Sequence, residues 1–237
     1  KISHPNVVAH VQSFLDGQRL YIVMEYADGG DLSMRIRAAK EESRAFRESS
    51  IMVIFAQLAM ALHHIHGEKI LHRDVKPMNV FLTKAGVVKL GDFGIARVIE
   101  GSTMGAQTQI GTPFYISPEV CKQQAYGVKS DLWSLGVVVY ELATLEVPFQ
   151  AQSLPAVAVQ ICEGIPRPLP SGYTETLPWL VFGLLEKEPA RRPPLDSLLE
   201  QPCVLHYVKA ANDMLHQTAH PMRRGSFQQE MGGPATG

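Results

Sequence analysis

The sequence predicts an α+β fold, with a small sheet near the N-terminus followed by a larger helical part. Two runs rich in β-branched and aromatic residues, at 7–15 and 20–25, flank the turn signal DGQR and indicate a hairpin. After residue 50, apolar residues instead recur every three or four positions, the spacing of a helix with one buried face. Gly29 and Gly30 separate the two patterns. A chain of 237 residues can form one large domain or two small ones.

The helices can be placed in order from their periodicity and end signals. Asp31 is predicted to cap a short helix from Leu32, because its carboxylate can accept hydrogen bonds from the first helical N–H groups. A second helix is predicted over 50–66, capped by Ser49 or Ser50. Two short strands, NVFL and VVKL, follow around the turn KAG. Further helices are predicted over 129–145, 153–163, 174–187 and 195–202.

Two long segments lack periodicity. Residues 92–119 are rich in Gly, Thr, Ser and Gln, and a segment of that length without regular structure inside a domain tends to be functional. Residues 205–237 are polar and contain several glycines, which predicts a disordered tail.

Composition and charge argue against several classes of protein. The formal net charge of −1 does not suggest a nucleic-acid partner. No signal peptide is visible, and the apolar run LWSLGVVVYELATL is too short to span a bilayer, so no membrane insertion is expected. The 3 cysteines show no CxxC spacing, which favours a reducing compartment and a cytoplasmic location.

Charged residues cluster in ILHRDVKPMNVFL, residues 70–82, inside an otherwise apolar run. Buried charge is unfavourable unless it is paired or used chemically. The stretch HRDVKPMN, followed by DFG at 92–94, resembles the catalytic core of eukaryotic protein kinases in order and spacing. GTPFYISPE, DLWSLG and RRP follow where that family has them, so the resemblance covers residues 1–204.

This resemblance implies a protein-kinase-like fold that is mainly the helical C-lobe. Residues 1–25 would be a remnant of the N-lobe, comprising the end of its helical region and two strands of a partial sheet. Residues 26–30 would form the hinge, 31–204 the C-lobe and 205–237 the tail.

The residue types in the catalytic stretch suit phosphoryl transfer, which depends on positioning and charge neutralisation. By resemblance, Asp74 is the base that accepts the proton of the substrate hydroxyl, and Lys76 steadies the γ-phosphate of ATP. Asn79 and Asp92 offer oxygen ligands for Mg²⁺. The alternative is that these are polar loop residues with no joint role.

An ATP site between the lobes is also implied by the resemblance. Met24 would line the back of the adenine pocket and Phe81 would lie under the ring, with plain core packing as the alternative for both. Glu25 and Ala27 would present backbone groups to the adenine edge, and Asp31 would hydrogen-bond the ribose.

Substrate type and two structural roles follow from other matched positions. Lys76 and Thr112 resemble the serine/threonine-specific group, whereas tyrosine kinases usually differ at both, so the partners would be protein substrates with Ser or Thr acceptors. Glu119 and Arg192 are expected to form a buried ion pair. Asp131 is expected to hold the backbone of the catalytic loop.

The stretches LYIVMEYADGGDL, KLGDFGIAR and GTPFYISPE resemble the NIMA-related (Nek) kinases. Ser117 stands where most kinases have alanine before PE, and the NIMA-related group commonly has SPE. The resemblance implies roles in the cell cycle and at the centrosome or basal body, the cilium or the cytoskeleton.

Regulation by phosphorylation is suggested by Arg73, which precedes the predicted base. In kinases of this type such an arginine pairs with a phosphate on the activation loop. Thr108 is the predicted phosphate site, with Ser102 and Thr103 as competitors and ordinary loop hydroxyls as the alternative. The phosphate would come from an activating kinase or from autophosphorylation.

Three features of the family would precede HPNVV and do not occur in these 237 residues: the glycine-rich loop, the lysine of VAIK and the glutamate that pairs with it. The chain also opens without methionine, so we expect it to be a piece of a longer protein. Two functions compete, an active serine/threonine kinase fragment and a non-catalytic lobe serving as an interaction module. The intact HRD, Asn79 and DFG favour the first.

Overall fold

The computed structural model describes residues 2–91 and 114–219. Strands β1 (His10–Asp16) and β2 (Arg19–Met24) form an antiparallel hairpin, as the sequence predicts. Strands β3 (Val80–Leu82) and β4 (Val88–Leu90) form a second one. The α+β architecture predicted from the sequence is confirmed.

Helices outnumber strands in the described residues. They are α1 (Leu32–Glu41), α2 (Glu48–Gly67), α3 (Pro118–Cys121), α4 (Val128–Thr144), α5 (Leu154–Glu163), α6 (Thr176–Leu184), α7 (Leu195–Leu199) and α8 (Pro202–Ala219). Short 3₁₀ turns lie at Pro77–Asn79 and Pro189–Arg191.

The centre of the core is formed by α2 and α4, which pack against each other. Both helices are apolar around most of their circumference, and such helices are normally buried. By length and composition alone α2 could cross a bilayer, but α4, α7 and α8 cover it here, as expected of a core helix. On α4, Trp133 stacks on Phe149 with ring centroids 5.7 Å apart.

The β3–β4 hairpin is attached to the core through a buried amide network. Asn6 Nδ2 donates to Gln57 Oε1 on α2 at 2.9 Å and to the carbonyl of Val88 at 2.9 Å. The N–H of Val88 donates to the same Gln57 oxygen at 2.8 Å. The other side of the hairpin contacts residues 26–30, the predicted hinge, where the N–H of Gly29 donates to the carbonyl of Leu82 at 2.7 Å.

Helix starts differ in how well the sequence predicts them. Asp31 caps α1 as predicted, since its Oδ1 accepts from the N–H of Met34 at 3.0 Å. The predicted caps of α2, Ser49 and Ser50, are wrong: the helix already begins at Glu48, and no side chain caps it. The carboxylate of Glu48 in the first turn is a favourable charge at a helix N-terminus.

The predicted disordered tail is wrong for residues 205–219, which belong to α8. This helix packs against α2 and α7, and Val204 and Ala211 are buried. Apolar residues three or four positions apart line the inner face of this helix. Because polar residues cover its outer face, the segment is polar on average, and its composition alone does not indicate a helix. Residues 220–237 lie outside the described residues.

Candidate active site

The loop that follows α2 is held by a buried carboxylate. Asp131 accepts hydrogen bonds from the backbone N–H groups of His72 and Arg73, both at 3.0 Å. It also accepts from His66 Nε2 at 2.8 Å and from the hydroxyl of Tyr126 at 2.5 Å. Burial pushes the pKa of Asp131 upward, but the hydrogen bonds outweigh it and hold the pKa below its ordinary value. Asp131 therefore stays charged and ties the loop to α4.

This anchoring maintains an unusual backbone conformation at Arg73, whose φ is 68°. The left-handed region is unfavourable for a residue with a side chain by about 1–2 kcal/mol. His72 provides a further brace, because its Nε2 donates to the carbonyl of Gly91 at 2.9 Å. Its Nδ1 accepts from the N–H of Asp74 at 3.3 Å, which fits a neutral ring protonated on Nε2.

Three predicted catalytic residues meet at one oxygen. Lys76 Nζ lies 2.7 Å from Oδ2 of Asp74, and Asn79 Nδ2 donates to the same oxygen at 2.9 Å. Hydrogen bonds from the described residues reach only Oδ2, which leaves the lone pairs of Oδ1 for another donor. The side chain of Asp74 is 47% exposed, so a ligand from solvent can reach it.

Asn79 is oriented by the 3₁₀ turn that contains it. Its N–H donates to the carbonyl of Lys76 at 2.9 Å, and its Nδ2 also donates to the backbone carbonyl of Asp74 at 2.8 Å. Its Oδ1 receives no hydrogen bond within the described ranges, and an amide oxygen is a suitable ligand for a hard cation. Its predicted partner Asp92 lies outside the described residues.

The predicted adenine pocket lies at the end of β2. Met24 remains 46% exposed, so its side chain is available to a ligand in this structure. The N–H of Glu25 donates to the carbonyl of Ala9 at 2.8 Å, and its carboxylate pairs with Lys89 at 2.5 Å. These contacts commit the N–H and the side chain of Glu25 to the protein, whereas no backbone N–H among the described residues reaches its carbonyl outside the strand pairs. The half-buried Ala27 follows in the hinge.

Asp31 and Phe81, which are predicted to contact the ribose and the adenine ring, are neighbours in the structure. Asp31 forms an isolated antiparallel bridge with Phe81 of β3. Oδ1 of Asp31 accepts from Met34 and Ser33, whereas Oδ2 has no donor among the described residues. Sequence reasoning missed Gly91: a Cβ there would lie 2.7 Å from Cε2 of Phe81, so only glycine fits behind the ring. The sequence LGDFG around Gly91 was the signal that could have identified this residue.

The segment after residue 113 is anchored by a buried ion pair. The two terminal nitrogens of Arg192 donate to the two carboxylate oxygens of Glu119 at 2.8 and 2.7 Å. Ser130 adds a hydrogen bond to Glu119 at 2.7 Å. Burial opposes ionisation of Glu119, but the bonds from Arg192 and Ser130 lower its pKa to about 2. The remaining guanidinium donors reach backbone carbonyls, including that of Glu186 at 2.8 Å.

A cleft of about 350 Å³ opens beside the catalytic loop. It lies between α1, Lys76 and the start of the segment after residue 113. The hydroxyl of Tyr115 donates to Glu141 Oε2 at 2.6 Å in its wall. Burial is the main cause that raises the pKa of both groups. Lys76, the partner of Asp74, is part of the lining, so the cleft borders the predicted catalytic residues.

The structure shows partners of Asp131 that the sequence did not predict, whereas other predicted residues lie outside the described ranges. His66 and Tyr126 were not predicted as partners of Asp131, although a buried carboxylate always requires donors. The predicted regulatory residues Thr108 and Thr112 lie outside the described residues. Arg73 is an exposed residue.

Comparison with known proteins gives one family and a consistent set of relatives. A model of the protein kinase domain matches residues 1–204. Serine/threonine-protein kinase Nek5 of Homo sapiens is 47% identical over 203 residues, which cover 85% of this chain and 28% of that protein. Nek1 of Mus musculus is 46% identical over 200 residues, or 84% and 16% of the two chains. Serine/threonine-protein kinase nekl-2 of Caenorhabditis elegans is 40% identical over 214 residues, or 88% and 60%. The chain therefore spans less than two thirds of the length of each of these relatives.

Proposed function

Since the chain belongs to the protein kinase family and resembles its Nek members, we propose that the protein transfers the γ-phosphate of ATP to Ser or Thr residues of proteins. The observation that carries this proposal is the convergence of Lys76 and Asn79 on one oxygen of Asp74. The relatives named above are serine/threonine-protein kinases, which agrees with the acceptor type.

Asp74 acts as the base. A general base must lie within hydrogen-bond reach of the proton that it accepts. Lys76 and Asn79 hold Oδ2 and thereby fix the plane of the carboxylate. Oδ1 then receives the hydroxyl proton of a Ser or Thr placed in the neighbouring cleft.

Lys76 neutralises charge during transfer. Phosphoryl transfer spreads negative charge over the transferred group and relies on positioned cations. The ammonium of Lys76 is held 2.7 Å from Asp74, so it lies beside the point where the acceptor oxygen attacks. Since 24% of its side chain is exposed, it can contact both the carboxylate and an incoming phosphoryl group.

The protein kinase family uses ATP with Mg²⁺, which neutralises the phosphates when bound. Two oxygens that accept no hydrogen bond from residues 2–91 and 114–219 fit these groups: Oδ1 of Asn79 as a ligand for Mg²⁺, with Asp92, and Oδ2 of Asp31 as an acceptor for the ribose. The carbonyl of Glu25 and the backbone of Ala27 would hold the adenine edge. Apolar contacts would come from the residues predicted for the pocket, Met24 and Phe81.

Regulation and location are further parts of this proposal. The guanidinium of Arg73, an exposed residue, would pair with a phosphate on Thr108, added by an activating kinase or by autophosphorylation. Thr108→Ala should then lower activity sharply, and unchanged activity would contradict the role. We place the protein in the cytoplasm, at the centrosome or basal body, the cilium or the cytoskeleton, as its resemblance to Nek kinases implies.

The test uses the full-length protein that contains this chain. Mg²⁺-dependent transfer of labelled γ-phosphate to a mixture of Ser- and Thr-containing proteins is measured for the wild type and for Asp74→Asn. We expect the variant to lose about 10²–10⁴-fold in rate, the usual contribution of a general base. Asp213→Asn, an exposed aspartate on α8, is the matched control and should retain activity. A wild type no more active than Asp74→Asn would support the non-catalytic alternative.

A further inference from the structure

Two cysteines lie together where α3 packs against α5. Cys121 is the last residue of α3, and Cys162 is the penultimate residue of α5. Sγ of Cys162 lies 3.8 Å from the carbonyl oxygen of Pro118, the first residue of α3. Cys121 follows Pro118 by three positions, so the two residues lie on the same side of α3. Both side chains are half-buried, so a small oxidant can reach them.

We propose that Cys121 and Cys162 form an oxidation-sensitive pair, which hydrogen peroxide converts into an intramolecular disulfide.

The backbone around the pair supports this assignment. The carbonyl of Pro118 also accepts the N–H of Lys122 at 3.0 Å, so it points along α3 towards the end that carries Cys121. Sγ of Cys162, which contacts this carbonyl, therefore lies beside the last turn of α3. Because α3 has only 4 residues and both cysteines stand at helix ends, formation of the bond would disturb little regular structure.

The surroundings give the two sulfurs different roles. Burial, reinforced by the neighbouring Cys162, raises the pKa of Cys121 to about 11, so it remains a thiol at neutral pH. Lys187 Nζ donates to the carbonyl of Ile161, the residue before Cys162, at 2.6 Å. Burial lowers the pKa of Lys187 to about 8, so the group is still mostly protonated at neutral pH. The thiolate is the form that attacks peroxide, and we assign this first attack to Cys162, the cysteine whose helix end holds the Lys187 ammonium.

The reaction proceeds in two balanced steps. The thiolate of Cys162 attacks one oxygen of hydrogen peroxide, the O–O bond breaks, and the leaving hydroxide takes a proton to become water. Cys162 is then a sulfenic acid. Cys121 loses its proton and attacks that sulfur, the S–O bond breaks, and a second water leaves. Two thiols and one peroxide give one disulfide and two waters, and the thiol pair is oxidised by two electrons.

The bond would connect the segment that carries Glu119 to α5. It would also close the chain between residues 121 and 162, and closing a loop restricts the unfolded state. Oxidised protein should therefore melt at a higher temperature than reduced protein, and reduction with dithiothreitol should reverse the difference.

The test applies hydrogen peroxide to the folded full-length protein, followed by alkylation of the remaining thiols and non-reducing peptide mapping. We expect a linked peptide containing Cys121 and Cys162, lighter than the two free peptides by two hydrogens. The exposed Cys203 on α8 serves as the internal comparison and should not appear in this link.

Serine variants distinguish oxidation of the proposed pair from oxidation of any accessible cysteine. Cys203→Ser should retain both the link and the rise in melting temperature, whereas Cys162→Ser should lose both. Recovery of Cys121 and Cys162 as separate peptides after peroxide treatment of the wild type would overturn the proposal. Since mapping of the wild type needs neither a variant nor a kinase assay, the outcome is independent of the proposed function.

Discussion

The buried charges of Asp131, Glu119 and Arg192 contrast with those of the catalytic loop, Asp74 and Lys76. The side chains of the first group, which we call the anchor, are 0–5% exposed. Those of Asp74 and Lys76 are 47% and 24% exposed. Each anchor carboxylate is surrounded by protein donors, whereas one oxygen of Asp74 receives no hydrogen bond from residues 2–91 and 114–219.

This difference separates stability from chemistry. A buried charge is tolerated only when its hydrogen bonds are made within the protein, so removal of one partner leaves an expensive unpaired group. A partly exposed charge can be replaced with little effect on stability, because water takes over its solvation. The two regions are nevertheless linked, since Asp131 fixes the backbone of the loop that presents Asp74.

Loss of Arg192 should produce the largest change in stability. Arg192→Ala leaves the carboxylate of Glu119 buried without its partner, and we expect the free energy of unfolding to fall by about 3–5 kcal/mol. Urea unfolding followed by tryptophan fluorescence would measure this, since Arg192 lies 5.1 Å from the ring of buried Trp133. Arg191→Ala removes the exposed neighbour and should change stability by no more than about 0.5 kcal/mol. Equal effects of the two variants would contradict the comparison.

Lys76 should show the opposite behaviour. Lys76→Met removes the cation beside Asp74, and we expect phosphate transfer to slow by about 10²–10³-fold, the usual effect of losing one electrostatic stabiliser. The free energy of unfolding should change by less than about 1 kcal/mol, because the pair with Asp74 is partly exposed. Lys84→Met, at the exposed turn between β3 and β4, is the control and should leave both quantities unaltered. A large loss of stability in Lys76→Met would show that the Lys76–Asp74 pair stabilises the fold as the anchor does, and it would contradict the comparison.

Asp131 should affect both stability and activity. Asp131→Asn replaces an acceptor of 4 hydrogen bonds by an amide that brings two donors of its own, so some partners are left unsatisfied. We expect the free energy of unfolding to fall by about 1–3 kcal/mol and the transfer rate to fall with it. Tyr126→Phe removes only one donor and should cost about 0.5–1.5 kcal/mol. If Asp131→Asn proved milder than Tyr126→Phe in urea unfolding, the assigned network would be wrong.

Acid should lower the free energy of unfolding by protonating Glu119. This effect should be smaller than that of Arg192→Ala. The folded pKa of Glu119 is about 2, below its ordinary value of 4.5, so the unfolded chain takes up this proton first as the pH falls. The contribution of Glu119 is therefore complete above pH 4.5 and is lost between about 4.5 and 2. One group contributes a slope of at most about 1.4 kcal/mol per pH unit. Glu119→Gln should flatten the pH dependence of unfolding in this window, and an unchanged slope would contradict the assigned ion pair.

Elements with a regular local pattern could be predicted from the sequence. The β1–β2 hairpin and the helices α2 and α4 were predicted within a few residues, because alternation and helical spacing are properties of neighbouring residues. Residues 205–219 were missed, since α8 is stabilised by a narrow apolar face against α2 rather than by its average composition. The start of α2 was misplaced because no capping side chain marks it.

The candidate site shows the same division between local pattern and long-range contact. The order HRD, Asn79 and DFG could be read from the sequence, because the spacing within a short loop is local information. The roles of these residues are implied by the resemblance to protein kinases and stay predictions. The tertiary structure alone decided that Lys76 and Asn79 share one oxygen of Asp74 and that His66 and Tyr126 complete the hydrogen bonds of Asp131. It also decided that Cys162 lies beside α3, the helix that ends in Cys121. His66 and Asp131 lie 65 positions apart, and such pairs are brought together by core packing between helices, which no local spacing encodes.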